Sequence, residues 1–390
     1  MFFAMRILAL DMGTGTQDIL LFDSAQSVEN ALQMIMPSAT EIAAGRIRRA
    51  TREGHPVVLT GVTAGGGPCA WALERHLAAG LSAFATPEAA KTFDDDLEGV
   101  RRMGVELISE DEAARIDGEH VRLRDLDLDA VRAAFQAFDV DTRFDGLALG
   151  CLDHGASPPG YSDRLFRFDH LRRVVAARND LRAFAYLPQE LPEYLTRARA
   201  LMDAAGDDAP AVFLDTGPAA ALGALQDPRV AGHEERLVLN LGNMHALAFH
   251  LRGTRILSLY EHHTGEVTAG QLVDFTRRLI DGRLAHEEVF GTKGHGVYYA
   301  DAESAHPIAG GDSPGREPAE ERADGGPLIA VTGPQRGKLR GSALAPYFAV
   351  PHGGMMVSGC YGLLWAFAEK HPQHADEVLD ALGISTALAG

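Results

Sequence analysis

The chain has 390 residues, 46% hydrophobic and 23% charged, which gives enough apolar material for a large core and excludes a disordered chain or a small disulfide-stapled module. Its 36 Lys and Arg against 54 Asp and Glu give a formal net charge of -18, which argues against nucleic acid as the main partner. Three widely spaced cysteines without a CxxC pair favour a reducing compartment. No apolar stretch approaches the roughly 18 to 20 residues of a membrane span, so we expect a cytoplasmic protein without a membrane partner.

Apolar runs that alternate with amphipathic segments predict an α/β protein. In the first 150 residues the predicted strands are 7–10, 19–22, 57–60 and 146–149, and the predicted helices are 39–53, 68–79, 88–102 and 128–138. Further along, the predicted helices are 191–205, 218–225 and 356–369, and the predicted strands are 211–214, 237–241, 246–251, 255–260 and 328–332. Residues 310–327 are rich in Gly, Pro and charge, which predicts a surface loop.

The first two strands enclose a turn of Gly13, Thr14, Gly15 and Thr16. Glycines let backbone N–H groups point into one concavity, and the threonine hydroxyls add further donors, so the turn suits phosphate oxygens. Asp11 ends the first strand and is placed to hold a hydrated Mg²⁺ ion against those oxygens. The alternative interpretation is a hairpin whose turn satisfies only its own backbone.

A second hairpin of the same kind lies in the other half of the chain. Residues 237–251 again read as strand, glycine-containing turn and strand, with Asn240, Gly242 and Asn243 at the turn. A short strand that ends in Asp215 and a small-residue helix precede it. Two such hairpins facing each other across a cleft could hold one polyphosphate between them.

Taken in order, these segments resemble the superfamily of actin, sugar kinases and heat-shock chaperones (ASKHA). The similar segments are 11–18 (first phosphate motif), 215–225 (first connecting helix), 237–251 (second phosphate motif), 328–337 (nucleoside-binding turn) and 350–365 (second connecting helix). The resemblance implies a two-domain, actin-like (ribonuclease H-like) α/β fold with an interdomain cleft. It also implies domains at 1–225 and 226–355, and C-terminal helices at 356–390 that return to the first domain.

The resemblance further implies ATP with Mg²⁺ in the cleft. The residues it assigns to the nucleotide are Gly13, Thr14, Gly15, Thr16, Asn240, Gly242, Asn243 and Gly333, with Asp11 as the Mg²⁺ ligand and Asp11 or Asp215 as the catalytic carboxylate. Asn240 stands where the family usually has an acid, and an amide cannot accept a proton as a carboxylate does. Two hypotheses follow: a phosphotransferase or ATPase acting on a small anionic metabolite, or a non-hydrolysing, nucleotide-sensing, chaperone-like module that grips a protein partner.

Within the superfamily, the chain also resembles a prokaryotic family labelled as pyruvate formate-lyase activating enzymes. The shared segments are 63–68, 153–155 with 158–160, 261–264 and 351–353. True activating enzymes hold an iron–sulfur cluster on three closely spaced cysteines and cleave S-adenosylmethionine. The chain has no such triplet, so we do not expect radical chemistry.

Two further segments are candidates for binding an anionic substrate. Gly65, Gly66 and Gly67 precede a helix with proline at its first position, which exposes N–H groups to an anion, although close strand-to-helix packing explains the glycines equally well. Arg164 and Arg167 follow a Pro-Pro turn and could clamp an anion, the alternative being solvated arginines beside a rigid turn.

The sixteen histidines form the last candidate group. His154 beside Asp153 could act as a general base, and His154, His245, His263 and His352 could bind a transition metal, which would make the protein a metal-dependent hydrolase or lyase. His262 and His263 would point to opposite faces of a strand, so only His263 could share a metal with Glu261. Scattered histidines are more often structural, so Mg²⁺ is the expected metal and a transition metal remains an open alternative.

Overall fold

The computed structural model of the chain describes residues 4–300 and 326–384, so most of the predicted loop at 310–327 lies outside the described residues. In chain order the strands are β1 (Arg6–Met12), β2 (Thr16–Asp23), β3 (Leu32–Pro37), β4 (Val57–Gly61), β5 (Ala83–Ala85), β6 (Val105–Leu107), β7 (Glu119–Leu123), β8 (Gly146–Cys151), β9 (Ala185–Tyr186), β10 (Ala211–Asp215), β11 (Glu235–Leu241), β12 (His245–Arg252), β13 (Arg255–His263), β14 (Gly296–Tyr299), β15 (Leu328–Thr332) and β16 (Tyr347–Phe348).

The α-helices connect these strands and cover the sheets. In chain order they are α1 (Ala39–Glu53), α2 (Pro68–Ala78), α3 (Pro87–Ala90), α4 (Leu97–Met103), α5 (Glu110–Ala113), α6 (Leu128–Gln136), α7 (Asp163–Ala177), α8 (Thr196–Ala205), α9 (Thr216–Ala224), α10 (Pro228–Ala231), α11 (Ala269–Ile280), α12 (His286–Gly291), α13 (Ser358–Lys370) and α14 (Ala375–Ala381). None of the helices in the described part of the chain is both long and apolar enough to cross a bilayer.

The two six-stranded sheets have the same arrangement of strands. The first is β3-β2-β1-β8-β10-β9, in which β1, β2 and β3 are antiparallel and β8 and β10 run parallel to β1. The second is β14-β13-β12-β11-β15-β16, in which β11, β12 and β13 are antiparallel and β15 and β16 run parallel to β11. Three antiparallel strands followed by parallel ones, occurring twice, is the ribonuclease H-like order, so the predicted two-domain actin-like fold is confirmed.

A third, parallel sheet of order β6-β5-β4-β7 lies between β3 and β8 in the chain. Its own core packs against α1 and α2. Helix α1 begins at Ser38, whose side chain accepts a hydrogen bond from the Glu41 N–H, and ends at Gly54, whose φ of 74° is the left-handed conformation that glycine adopts without strain. The inserted sheet therefore forms a separate layer attached to the first domain.

Helices α9 and α13 join the two halves of the molecule and pack directly against each other. Their approach is close because each contributes a glycine to the crossing: a Cβ on Gly223 would overlap the carbonyl oxygen of Ser358, and a Cβ on Gly362 would overlap that of Ala219. One hydrophobic cluster includes residues of both sheets and of both helices. The two halves therefore share a continuous core at this crossing.

Several predicted elements differ in extent from the observed ones. The helix predicted at 88–102 is two short helices, α3 and α4, because Asp96 interrupts the helical path and accepts a hydrogen bond from the Glu98 N–H as the cap of α4. Helix α7, the edge strand β3 and helix α11 were not predicted. Predicted helix 39–53 and strand 328–332 have the observed bounds.

Candidate functional site

The two hairpin turns are geometric counterparts. In the first sheet the last strand pair before the turn is Met12 with Gln17, and in the second it is Leu241 with Ala246, so each turn has four residues. The first is Gly-Thr-Gly-Thr and the second Gly-Asn-Met-His. In the second, the Gly242 N–H donates to the carbonyl oxygen of His245 at 2.9 Å. Each domain thus has one glycine-containing turn at the same place, between the first two strands of its sheet.

These two turns meet. The side-chain amide of Asn243 lies so close to Gly15 that a Cβ on Gly15 would overlap it, so a larger residue at position 15 would displace this amide. Asn243 Oδ1 in turn accepts a hydrogen bond from Gln335 Nε2 at 3.1 Å, which ties the second turn to the turn after β15. In that turn Gly333 has a φ of 92° and lies against the side chain of Asn240. The structure therefore brings Gly15, Asn240, Asn243 and Gly333 together.

Ser38 braces the first turn from behind. Its hydroxyl donates to the Thr14 carbonyl oxygen at 2.5 Å, and its N–H donates to that of Gly15 at 3.2 Å. Both bonds engage carbonyl oxygens of the turn, which would otherwise repel an anion. The hairpin turn is thus held in one conformation by the cap of α1.

Asp11 lies at the base of the first turn and is 6% exposed. Its Oδ1 accepts a hydrogen bond from the Thr216 hydroxyl at 2.6 Å, which ties β1 to the start of α9. Burial, with a smaller contribution from the charge of Asp215, raises the pKa of Asp11 to about 6. The cross-strand partner Asp18 carries a second, half-buried carboxylate, whose inaccessible Oδ1 has no hydrogen-bond partner among the described residues. A hydrated divalent cation near these two carboxylates would neutralise their charges.

Replacing Asp18 by asparagine is expected to stabilise the metal-free protein, and more so at higher pH. Burial and, to a lesser degree, the charge of Asp11 raise the pKa of Asp18 to about 8. Between about pH 4 and pH 8 the folded wild type therefore keeps a proton that the unfolded chain releases, and its free energy of unfolding falls as the pH rises. The asparagine variant lacks this loss, so its advantage in free energy of unfolding should grow by several kcal/mol between about pH 4 and pH 8.

Urea denaturation in chelator at about pH 5 and about pH 8.5 measures this difference. The exposed Asp208, changed to asparagine in the same way, is the control and should show no such pH dependence. A gain from Asp18→Asn that stays constant between the two pH values would contradict the assignment of a buried, proton-retaining carboxyl.

Arg167 links the two domains below the turns. Its side chain is fully buried, and its guanidinium donates to both carboxylate oxygens of Asp215 at 2.5 and 2.9 Å and to Glu261 at 3.3 Å. Asp215 belongs to the first sheet and Glu261 to the second. A charge-assisted network therefore spans the interface, with Asp215 and Arg167 as partners of each other.

Four histidines cluster beside Glu261. His154 follows β8, His245 starts β12, His263 ends β13 and His295 precedes β14, so one comes from the first domain and three from the second. One ring nitrogen each of His154, His245 and His295 lies within 4.8 Å of the others. The His263 ring centroid is 4.7 Å from that of His295 and 4.9 Å from that of His245.

Burial keeps three of these imidazoles, those of His154, His263 and His295, neutral at ordinary pH. Burial lowers the pKa of His154 and of His295 well below the ordinary histidine value, and burial followed by the nearby His245 lowers that of His263 to about 4. Burial alone would raise the pKa of Glu261, but the Arg167 guanidinium holds it well below its usual range. Glu261 is thus an ionised acceptor for His245 Nδ1, 3.1 Å from its Oε1.

Some predicted site residues have other partners. Arg164 donates to the carbonyl oxygens of Phe290 and Gly294 and lies over the Phe290 ring, so its guanidinium fixes the segment before His295. His352 is not in the histidine cluster, because it bonds to Gln226 and packs against Tyr361.

The glycine turn before α2 has a partner of its own. The Gly65 N–H donates to the Asp125 carboxylate at 3.2 Å, and the Gly66 carbonyl oxygen accepts from Thr40. A Cβ on Gly67 would contact Thr14, so this turn adjoins the first hairpin turn. An anion from solution would therefore meet Gly66 and Gly67 rather than Gly65.

Sequence reasoning missed some residues of the site. His295 was not among the metal ligands predicted from the sequence, although its flanking glycines, Gly294 and Gly296, mark it as a residue in a turn. Asp18 was read as part of the hairpin motif only, and Thr216 and Gln335 were given no role. Their positions depend on tertiary contacts with Asp11 and Asn243, which one sequence does not reveal.

The chain is similar to a solved structure and to a protein family. A ROK hexokinase from Thermus thermophilus, known from its crystal structure, aligns at 15% identity with a TM-score of 0.22, over 65% of this chain and 48% of the hexokinase. The chain thus spans about half the length of that protein. No curated protein sequence matches it. Residues 64–310 match the family model described as "Putative pyruvate format-lyase activating enzyme (DUF1786)", and since this segment is more than half of the chain, the protein belongs to that family.

Proposed function

We propose that the protein binds ATP with Mg²⁺ in the interdomain cleft and transfers the γ-phosphoryl group to a small anionic metabolite. The observation that carries the proposal is the meeting of two glycine-containing hairpin turns, at Gly15 and Asn243, beside the buried carboxylate of Asp11. N–H groups of opposed turns can hold a polyphosphate from two sides, and catalysis of phosphoryl transfer is mostly positioning and charge neutralisation.

In this proposal each group has a defined task. The turns 13–16 and 242–244 hold the phosphates, and the turn at Gly333 lies beside the nucleoside. Asp11 would hold the hydrated Mg²⁺ ion, and Thr216 fixes its carboxylate by a 2.6 Å hydrogen bond. Mg²⁺ would supply neutralisation of the charge that develops on the transferred group.

The acceptor is proposed to be an oxyanion, such as a carboxylate or a phosphate. Both carboxylate oxygens of Asp215 accept hydrogen bonds from Arg167, and the side chain of Asn240 is an amide and not a carboxylate. Neither residue is therefore available to remove a proton. Attack by an oxygen that is already ionised requires no general base. We place the acceptor near Gly66 and Gly67, because Gly67 adjoins Thr14 of the first hairpin turn.

Asp11→Asn is expected to remove the Mg²⁺-dependent part of ATP binding. Calorimetric titration of the wild type should show at least about tenfold tighter ATP binding with Mg²⁺ than with chelator, equivalent to about 1.4 kcal/mol. The variant should bind with the chelator-level affinity under both conditions, and Asp208→Asn, changed at an exposed site, should behave as the wild type. Absence of wild-type binding at millimolar Mg·ATP would refute the proposal.

A second candidate function retains nucleotide binding but not ATP hydrolysis. Asn240 in the position that the superfamily gives to an acid favours a module that senses ATP and grips a protein partner by closing the cleft. Asn240→Asp should then create ATP hydrolysis, measured as released phosphate, in a protein that otherwise has none. Rapid phosphate release by the wild type would decide against this candidate.

A further inference from the structure

We propose that His154, His245 and His295 bind one divalent transition-metal ion, of which Zn²⁺ is the reference case, and that this ion bridges the two domains. The three residues come from the loop after β8, the second hairpin turn and the loop before β14. One ring nitrogen from each lies within 4.8 Å of the other two. Three imidazoles are a ligand set suited to zinc, cobalt, nickel or iron, with a further position left for water or substrate.

The spacing of the nitrogens agrees with a tetrahedral ion. Zinc bonds imidazole nitrogen at about 2.0–2.1 Å, which separates two ligand nitrogens by about 3.3–3.4 Å. His154 Nε2 and His245 Nε2 are 3.3 Å apart. The His295 nitrogen lies within 4.8 Å of both.

His295 supplies a separate observation. Its side chain is fully buried, and neither ring nitrogen has a hydrogen-bond partner among the described residues. Burying an unpaired polar group costs about 1–3 kcal/mol, so such a residue requires an explanation. A hydrogen bond between His154 and His245 would leave His295 unexplained, whereas one metal ion accounts for all three rings.

The hydrogen bonds behind the cluster select the required tautomer. Glu261, ionised beside Arg167, can only accept, so His245 carries its proton on Nδ1 and directs the lone pair of Nε2 toward His154. A carboxylate behind a metal-bound histidine is the common arrangement that orients the ring and raises its basicity. Arg164, through the Gly294 carbonyl oxygen at 2.7 Å, holds the segment that carries His295.

The site lies beside the proposed nucleotide but does not depend on it. His245 is the last residue of the second hairpin turn, so an ion here would adjoin the phosphates and also join the domain of His154 to that of His295. Ligation across the cleft should stabilise the folded protein by mass action. The test is therefore made on the full chain in the absence of nucleotide.

The experiment uses protein stripped with a chelator and then titrated with Co²⁺ and Zn²⁺ alone. We expect one metal ion per chain, Co²⁺ absorption bands of a tetrahedral site, and a melting temperature that rises with Zn²⁺. His295→Gln and His154→Gln should each weaken Zn²⁺ binding by at least about 100-fold. His352→Gln, outside the cluster, should bind as the wild type.

Two results would overturn the proposal. One is a wild type that retains no metal after gel filtration and shows no change in melting temperature with excess Zn²⁺. The other is binding that both cluster variants preserve, which would locate the metal elsewhere. Far-UV circular dichroism of the metal-free variants identifies misfolding, and the wild-type stoichiometry and Co²⁺ spectrum decide the question even if one variant fails to fold. Nucleotide titration of the same preparations reports separately on the phosphotransferase proposal.

Discussion

Replacing Arg167 by methionine is expected to lower the free energy of unfolding by about 3–5 kcal/mol. The arginine is fully buried between the carboxylates of Asp215 and Glu261, which are themselves 3% and 0% exposed. Methionine fills much of the same volume but removes the cation, so two buried negative charges lose their main partner. Because one carboxylate belongs to each domain, the loss should also weaken the interdomain contact.

The matched control for this change is Arg172→Met on the same helix. Arg172 is half exposed and pairs with Asp169 at 3.5 Å, an interaction worth less than about 1 kcal/mol. Urea denaturation of the three proteins measures the difference. The cost of Arg167→Met should shrink as the pH falls, because without the guanidinium burial raises the pKa of Glu261 and its protonation relieves the buried charge. Equal costs at both positions would contradict the buried charge network.

Replacing Gly223 by alanine is expected to cost about 3 kcal/mol of the free energy of unfolding. The new Cβ would overlap the carbonyl oxygen of Ser358 in α13, a backbone atom that moves only if the helix moves. Gly362→Ala should have a similar effect from the opposite helix, through the carbonyl oxygen of Ala219. Both changes push α9 and α13 apart at the same crossing. The double variant should therefore lose less free energy of unfolding than the sum of the two single losses.

A helical glycine away from the crossing provides the comparison. Gly45 lies on the exposed face of α1, and a Cβ there would contact nothing within 4 Å. Gly45→Ala should therefore stabilise the protein by up to about 1 kcal/mol, the usual advantage of alanine within a helix. Thermal and urea unfolding report both effects. A stabilising Gly223→Ala would show that α9 and α13 do not approach as described.

The repeated hairpins were predictable because their strands are buried on both faces. β1 and β11 read as continuous apolar runs that end at glycine-containing turns, so both the strands and the turns stand out in the sequence. Helix α1 was predicted with its observed bounds because a serine cap and a following glycine mark its ends. Local chemistry sufficed for these elements.

Helix α7 was missed for a physical reason. Its buried face includes Arg167 and His170 as well as Phe168 and Leu171, so its inward residues do not form an apolar stripe. Strand β3 was missed because it is an edge strand whose side chains are mostly exposed. In both cases the element is stabilised by tertiary contacts, a partner for a buried charge in α7 and a neighbouring strand for β3, and not by a local hydrophobic pattern.

The candidate site was predictable only in part. The hairpin turns and Asp11 carry their chemistry in contiguous residues, whereas the histidine cluster gathers His154, His245 and His295 from three distant parts of the chain. Arg167 looked like an anion clamp from sequence, because nothing local shows that Asp215 and Glu261 lie on either side of it. Residues that act through long-range contacts need the fold before their roles can be assigned.

Hydrogen–deuterium exchange with and without Mg·ATP tests the central claim most directly, because it reports on each turn separately. If a polyphosphate lies between the two domains, amide exchange should slow in both 12–16 and 241–244, while the inserted sheet of β4 to β7 exchanges as before. Slowing confined to one hairpin, or found only in segments remote from both, would contradict a nucleotide held between the opposed turns.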